Sequence, residues 1–167
     1  MTAPFRILFV CTANICRSPF LELYARSRLG SPAVAFSSAG THGVADHPIS
    51  DEMGAEARMN WGLEADRFRS RLLTAELLDD ADLVLTAEQR HRQHILDAHP
   101  DAVGRVLTLG QAARGAATPS PSDDIADPYR LGAQAQATAA QQMAAMLDTL
   151  PLPDLLQLTP ARRPAHG

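Results

Sequence analysis

An apolar run over residues 5–10 stops at Cys11-Thr12-Ala13-Asn14-Ile15-Cys16-Arg17-Ser18-Pro19, and helical spacing begins directly after it. Ile7, Leu8, Phe9 and Val10 show no polar alternation, so the run has to be covered on both faces, as an inner strand of a parallel sheet is. Phe20, Leu21, Tyr24, Ala25 and Leu29 then recur at the spacing of a helix face, with Pro19 tolerated in the first turn. A strand, a short loop and a helix in immediate succession restrict the chain to an α/β architecture.

The rest of the chain keeps that rhythm. Further strands are expected at residues 35–38, 83–85 and 106–109, and helices at 50–60, 74–81, 88–98 and 133–150. The expected fold is an open parallel four-stranded sheet with helices on both faces, in a single compact domain. In such a sheet ligands gather at the carboxyl ends of the strands, where Cys11 falls. Residues 111–124, rich in Ala, Pro, Ser and Gly, read as a mobile loop that delivers the chain to Asp127. The 167 residues, 46% of them hydrophobic, suffice for one core over residues 1–150; the Pro-rich tail 151–167 reads as a loosely packed end.

A net charge of −4 argues against nucleic-acid binding by phosphate neutralisation, so any phosphate site has to be local. The two cysteines, Cys11 and Cys16, make neither a disulfide framework nor a metal-ligand set. His91 and His94, one helical turn apart, lack a third ligand and read as surface histidines. No apolar stretch is long enough for a transmembrane span and the first residues lack a signal-peptide layout, so the expected location is cytoplasmic, with no membrane partner.

The chemistry lies in the loop. Five residues separate Cys11 from Arg17, and the amides of so short a turn, with the free N–H groups of the following helix, form a cradle for a phosphate dianion from Thr12, Ala13, Asn14, Ile15, Cys16, Arg17 and Ser18. The same field favours the thiolate of Cys11, which makes it the expected nucleophile. Arg17 offers a planar fork to two phosphate oxygens, which a lysine does not. Ser18 is placed to donate its hydroxyl to the Cys11 sulfur, and Asn14 suits a left-handed backbone position.

These residues resemble the low-molecular-weight protein-tyrosine phosphatase family, whose loop reads cysteine, two residues, asparagine, one residue, cysteine, arginine, serine and usually proline. The likeness continues through Ser38-Ala39-Gly40-Thr41, Arg69-Ser70-Arg71 and Asp127-Pro128-Tyr129, over about residues 5 to 150. It implies hydrolysis of phosphotyrosine in proteins or peptides through a phosphocysteine on Cys11, with no metal or organic cofactor. Asp127 then stands as general acid in the family's aspartate-proline pair, and Tyr129 lines the substrate pocket.

Several positions depart from the pattern. Ala13 stands where many members have glycine, and Phe68 where many carry a histidine that buttresses the loop. An aromatic residue is missing after Thr41, and Arg130 follows Tyr129 in place of another aromatic. Two other activities use the same loop: arsenate reduction with an external small thiol, since residues 72–95 lack a cysteine pair, and phosphoarginine hydrolysis, in which a threonine tends to replace Ile15. Cys16 is either a protective disulfide partner for Cys11 or a small buried side chain.

Overall fold

Residues 3–157 are described by a computed structural model. β1 (Phe5–Cys11) is an inner strand: Ile7, Phe9 and Cys11 enter one apolar cluster, Leu8 and Val10 another on the opposite face. Burial on both sides is what an unbroken apolar run requires. After the loop, α1 (Arg17–Arg28) leads to β2 (Val34–Gly40), which pairs parallel with β1 from Phe5↔Val34 to Cys11↔Gly40. Next come α2 (Asp51–Trp61), α3 (Ala75–Asp80) and β3 (Leu83–Thr86), the last parallel to β1 on its other edge. α4 (Gln89–Ala98) and β4 (Val106–Thr108) complete the sheet in the order β2-β1-β3-β4.

One face of the sheet is covered by α1, α2, α5 (Leu109–Arg114) and α6 (Ala133–Asp148), which contribute Phe20, Met53, Ala112 and Met143 to the larger cluster. Leu78 of α3 and Ile95 of α4 cover the other. The architecture is thus the expected one, with helices on both faces. The chain crosses from β2 to the far side of β1 when it enters β3, so the strand order reverses between β1 and β3. That is where an open α/β sheet leaves a crevice beyond its strand ends. No helix among the described residues is long and apolar enough to cross a membrane.

Two expectations are corrected. Residues 111–124 are not a structureless loop: α5 occupies Leu109–Arg114, and a single 3-10 turn covers Pro121–Asp123. Thr108 caps α5 by accepting from the Gln111 amide, and the buried Asp123 carboxylate holds Arg114 at 2.6 Å, closing the segment on itself. The tail is also packed at its start, because α7 (Leu152–Leu155) puts Leu155 into the larger cluster. Residues 158–167 of the expected tail lie outside the described residues.

Gly110 shows how tightly the closed segment sits. A Cβ there meets Asp123 Cβ at 2.6 Å and Asp123 Cα at 2.7 Å. Gly110→Ala is therefore expected to destabilise the protein by about 1–3 kcal/mol, as overpacking does. A urea midpoint equal to that of the wild type would show that the segment moves aside freely.

Candidate active site

Cys11 is the last residue of β1 and Arg17 the first of α1, so the five residues between them turn at the switch point. Asn14 makes the turn with φ of 55°, the left-handed geometry asparagine tolerates. Ala13 is not among the positive-φ residues, so its Cβ is accommodated. Gly40, by contrast, has to be glycine: a Cβ there would lie 2.6 Å from the Thr12 carbonyl oxygen.

The loop carbonyls are bonded away from the turn. Cys11 O accepts from Thr41 N at 3.0 Å, Thr12 O from His42 N at 2.8 Å and Ile15 O from Ser50 N at 2.7 Å. In a trans peptide the N–H points opposite to the C=O, so the amides of Thr12, Ala13 and Cys16 face the concavity. Of the expected cradle, these three amides share one concavity.

Beneath it lies a buried polar network. The Asn14 side-chain amide donates to Ser18 Oγ at 2.8 Å and Ser38 Oγ at 2.9 Å, while its carbonyl accepts from Arg71 N at 2.8 Å. Ser18 Oγ lies 2.9 Å from Cys11 Sγ, and the Ser18 amide donates to the same sulfur at 3.5 Å. Phe68 is packed in the core, and the Asn14 side chain is held by Ser38 and the Arg71 backbone.

Arg17 is 1% exposed. Its Nη1 donates to Glu88 Oε2 and to the Ile125 carbonyl, both at 2.7 Å, which occupies both protons of that nitrogen. Nη2 reaches Thr12 Oγ1 at 3.4 Å and stands 3.7 Å from Asp127 Oδ2. The Nε/Nη2 edge, the one suited to two phosphate oxygens, is thereby turned toward the loop.

Asp127 is 44% exposed at the mouth, and its Oδ1 accepts from Tyr129 N at 3.1 Å, an Asx turn that sets its direction. Gln136 of α6 ties this segment down: its Nε2 donates to Pro128 O at 2.6 Å and to Glu52 Oε2 at 2.9 Å, and its Oε1 accepts from Cys16 Sγ at 3.3 Å. Tyr129, 39% exposed, carries the Arg130 guanidinium over its ring at 5.0 Å. Together with Ile15, Pro48 and Ile49 these two residues line a groove of about 360 Å³ leading away from the loop. Burial pushes the Cys16 thiol up to about 12, so it stays protonated and hydrogen-bonded, unlike a thiol poised for exchange.

Three residues at the site escaped the sequence reading: Glu88, Gln136 and His91. His91 is 2% exposed, which corrects its placement on the surface. Its Nδ1 accepts from the Glu88 amide at 3.2 Å, so its proton sits on Nε2 and is donated to Thr12 Oγ1 at 2.8 Å. With Arg90 Nη2 donating to the same oxygen at 3.1 Å, the Thr12 hydroxyl proton is left for a ligand.

Burial and the neighbouring Arg17 push His91 down to about 3 from 6.5. Between those values the unfolded chain takes up a proton that the folded one refuses, so stability falls as pH falls through that window. The loss expected from His91 alone is on the order of 4 kcal/mol. Denaturant unfolding at the two ends of the window checks it, with His91→Gln expected to remove most of that pH dependence.

The family model for "Low molecular weight phosphotyrosine protein phosphatase" matches residues 6–152. The low molecular weight protein-tyrosine-phosphatase Etp of Escherichia coli K12 is 38% identical over 124 residues, 74% of this chain and 77% of that protein. A protein-arginine-phosphatase of Geobacillus stearothermophilus is 32% identical over 150 residues, 88% of this chain and 94% of that one. Among solved structures, the YwlE arginine phosphatase of G. stearothermophilus superposes with a TM-score of 0.79 over 87% of this chain and 90% of its own, at 32% identity. The tyrosine phosphatase Wzb of Escherichia coli K30, in complex with phosphate, gives 0.71 over 86% and 93%, at 29% identity.

Proposed function

The chain belongs to the low molecular weight phosphotyrosine protein phosphatase family, and we propose that, as a protein-tyrosine phosphatase, it hydrolyses phosphotyrosine in proteins or peptides through a phosphocysteine on Cys11. The observation that carries this reading is the convergence of Cys11 Sγ on Ser18 Oγ at 2.9 Å, above an Arg17 that is buried, anchored by Glu88 and within 3.7 Å of Asp127.

In the first step the Cys11 thiolate attacks phosphorus in line, the S–P bond forms, and the ester P–O bond breaks. Protonated Asp127 gives its proton to the departing phenolic oxygen. Charge on the equatorial oxygens is met by the loop amides and by the Nε/Nη2 edge of Arg17. In the second step water attacks phosphorus, Asp127 takes its proton, and the Cys11 thiolate leaves with Ser18 donating to it. Tyr129 stacks on the substrate ring, and Ile15 and Ile49 supply apolar contact in the groove.

Ile15, in place of threonine, favours an aromatic ester over phosphoarginine, although the superposition on the arginine phosphatase keeps that substrate in the assay. We assign the phosphatase domain to residues 1–150; the packing of Leu155 of α7 against its core extends the packed part a few residues further. Two free thiols, one of them the nucleophile, suit the reducing cytoplasm, and the net charge of −4 speaks against nucleic acid as partner.

The test compares para-nitrophenyl phosphate, a phosphotyrosine peptide and a phosphoarginine peptide, with arsenate reduction as a further control. Asp127→Ala is expected to lower kcat on the phosphotyrosine peptide by about 10²–10⁴. The loss should be smaller for para-nitrophenyl phosphate, whose leaving group needs less protonation. Turnover of phosphoarginine or arsenate without phosphotyrosine would keep the loop chemistry and overturn the substrate.

A further inference from the structure

The network under the phosphate loop continues beyond Ser38. Ser38 Oγ donates to Glu22 Oε1 at 2.9 Å, and Glu22, on α1, is 8% exposed. On its far side Glu22 lines a cleft of about 390 Å³, framed by Arg26, Arg67, Arg69 and Arg71 with Phe68 and the second carboxylate, Glu64. Four guanidinium groups against two carboxylates make this the opposite of a chain with net charge −4. Arg26 Nε donates to Phe36 O at 3.1 Å and Arg71 Nε to Ser38 O at 3.2 Å, so both forks are fixed in direction by backbone carbonyls. Arg26 Nη1 also stands 3.4 Å from Glu22 Oε2.

We propose that this cleft is a second anion site, separate from the catalytic loop, that takes the phosphate group of a small phosphorylated metabolite and transmits its occupancy to Cys11 through Glu22, Ser38, Asn14 and Ser18. Guanidinium groups held at several angles around one concavity are suited to a tetrahedral oxyanion.

The chain of hydrogen bonds has a polarity: Glu22 sets it at Ser38, and the Asn14 amide, which can only donate, sets it at Ser18. An ionised carboxylate only accepts, so the Ser38 hydroxyl has to donate to it, and Ser38 Oγ accepts from Asn14. The other Asn14 amide proton goes to Ser18 Oγ, which directs the Ser18 proton onto the Cys11 sulfur. Burial of Glu22 favours its protonated form, and this is opposed by Arg26, the Ser38 hydroxyl and Arg71. An anion that engages Arg26 and Arg71 withdraws that opposition. Protonated Glu22 no longer requires the Ser38 proton, the Ser38 hydroxyl is released to turn, and its hold on the Asn14 amide, which orients Asn14 toward Ser18, is loosened. The core Phe68 leaves the solvent-facing arginines as the cations acting on Glu22.

The test is an amide and side-chain NMR titration of the whole protein, with Cys11 alkylated by iodoacetamide so that the catalytic loop is blocked and loop binding is silent. Inorganic phosphate and a nucleoside monophosphate are added at constant ionic strength. The expected result is saturable shifts at residues 26, 67, 69 and 71, followed by the Asn14 side-chain amide with the same midpoint. Arg67→Ala/Arg69→Ala is expected to lose the titration while its unalkylated loop still binds vanadate. Glu22→Gln is expected to keep the cleft shifts and lose the Asn14 response. The ranking of the two ligands tells phosphate itself from a larger metabolite, and either ranking supports the site. Absence of saturable shifts, or shifts matched by chloride, overturns it, and cleft shifts without an Asn14 response overturn the coupling.

Discussion

Replacing Cys11 by serine is expected to leave the fold intact and to lower turnover of every phosphate ester by a factor on the order of 10⁴ or more, the scale on which loss of a nucleophile is felt. The sulfur is buried at the end of β1, with Ser18 Oγ and the Ser18 amide both directed at it. These donors are useful to a thiolate and of little use to a serine hydroxyl, which stays protonated. Steady-state rates with para-nitrophenyl phosphate measure the loss, and far-ultraviolet circular dichroism shows that the protein is folded. Residual activity within a hundredfold of the wild type would mean that water attacks phosphorus directly, and the phosphocysteine would have to be abandoned.

The second large effect belongs to Arg17→Lys, which keeps the charge and is nevertheless expected to lower kcat by about 10²–10³, comparable to losing a transition-state donor. Arg17 holds Glu88 and the Ile125 carbonyl with one nitrogen while turning its other edge to the phosphate loop. A lysine has one nitrogen for all of these tasks. Either it follows Glu88 and leaves the phosphate, or it serves the phosphate and leaves Glu88 half-buried without its main partner. Phosphate affinity and thermal unfolding, measured together, report which happens. A lysine variant with kcat within tenfold of the wild type would show that charge alone is what the site needs.

The readings that the sequence allowed share one property: they depend on neighbours along the chain. The unbroken apolar run, the five-residue spacing from Cys11 to Arg17, and an asparagine in a tight turn are local, and each reappears in β1, in the loop and in the φ of Asn14. Glu88 and Gln136 were not legible, because their partners lie 71 and 120 residues away and nothing local marks them. Position after β3, at the reversal of strand order, was the available signal for Glu88. His91 was misread although a signal existed: it precedes Ile95 by one helical turn, and both are buried on the same side of α4. α5 was hidden by its shortness: six residues give only Leu109 and Ala112 to the core, too few to show a periodicity, and its ends are fixed by the Thr108 cap and the Arg114–Asp123 pair.

The outward-bonded carbonyls of Cys11, Thr12 and Ile15 carry a further consequence for how such a protein changes over generations. In the proposed mechanism the phosphoryl group is met by Arg17 and otherwise by the main chain, which substitutions elsewhere in the loop leave in place so long as the turn is kept. Ala13 and Ile15 are thereby free to vary as a dial on the leaving group, while the chemistry below them is inherited unchanged.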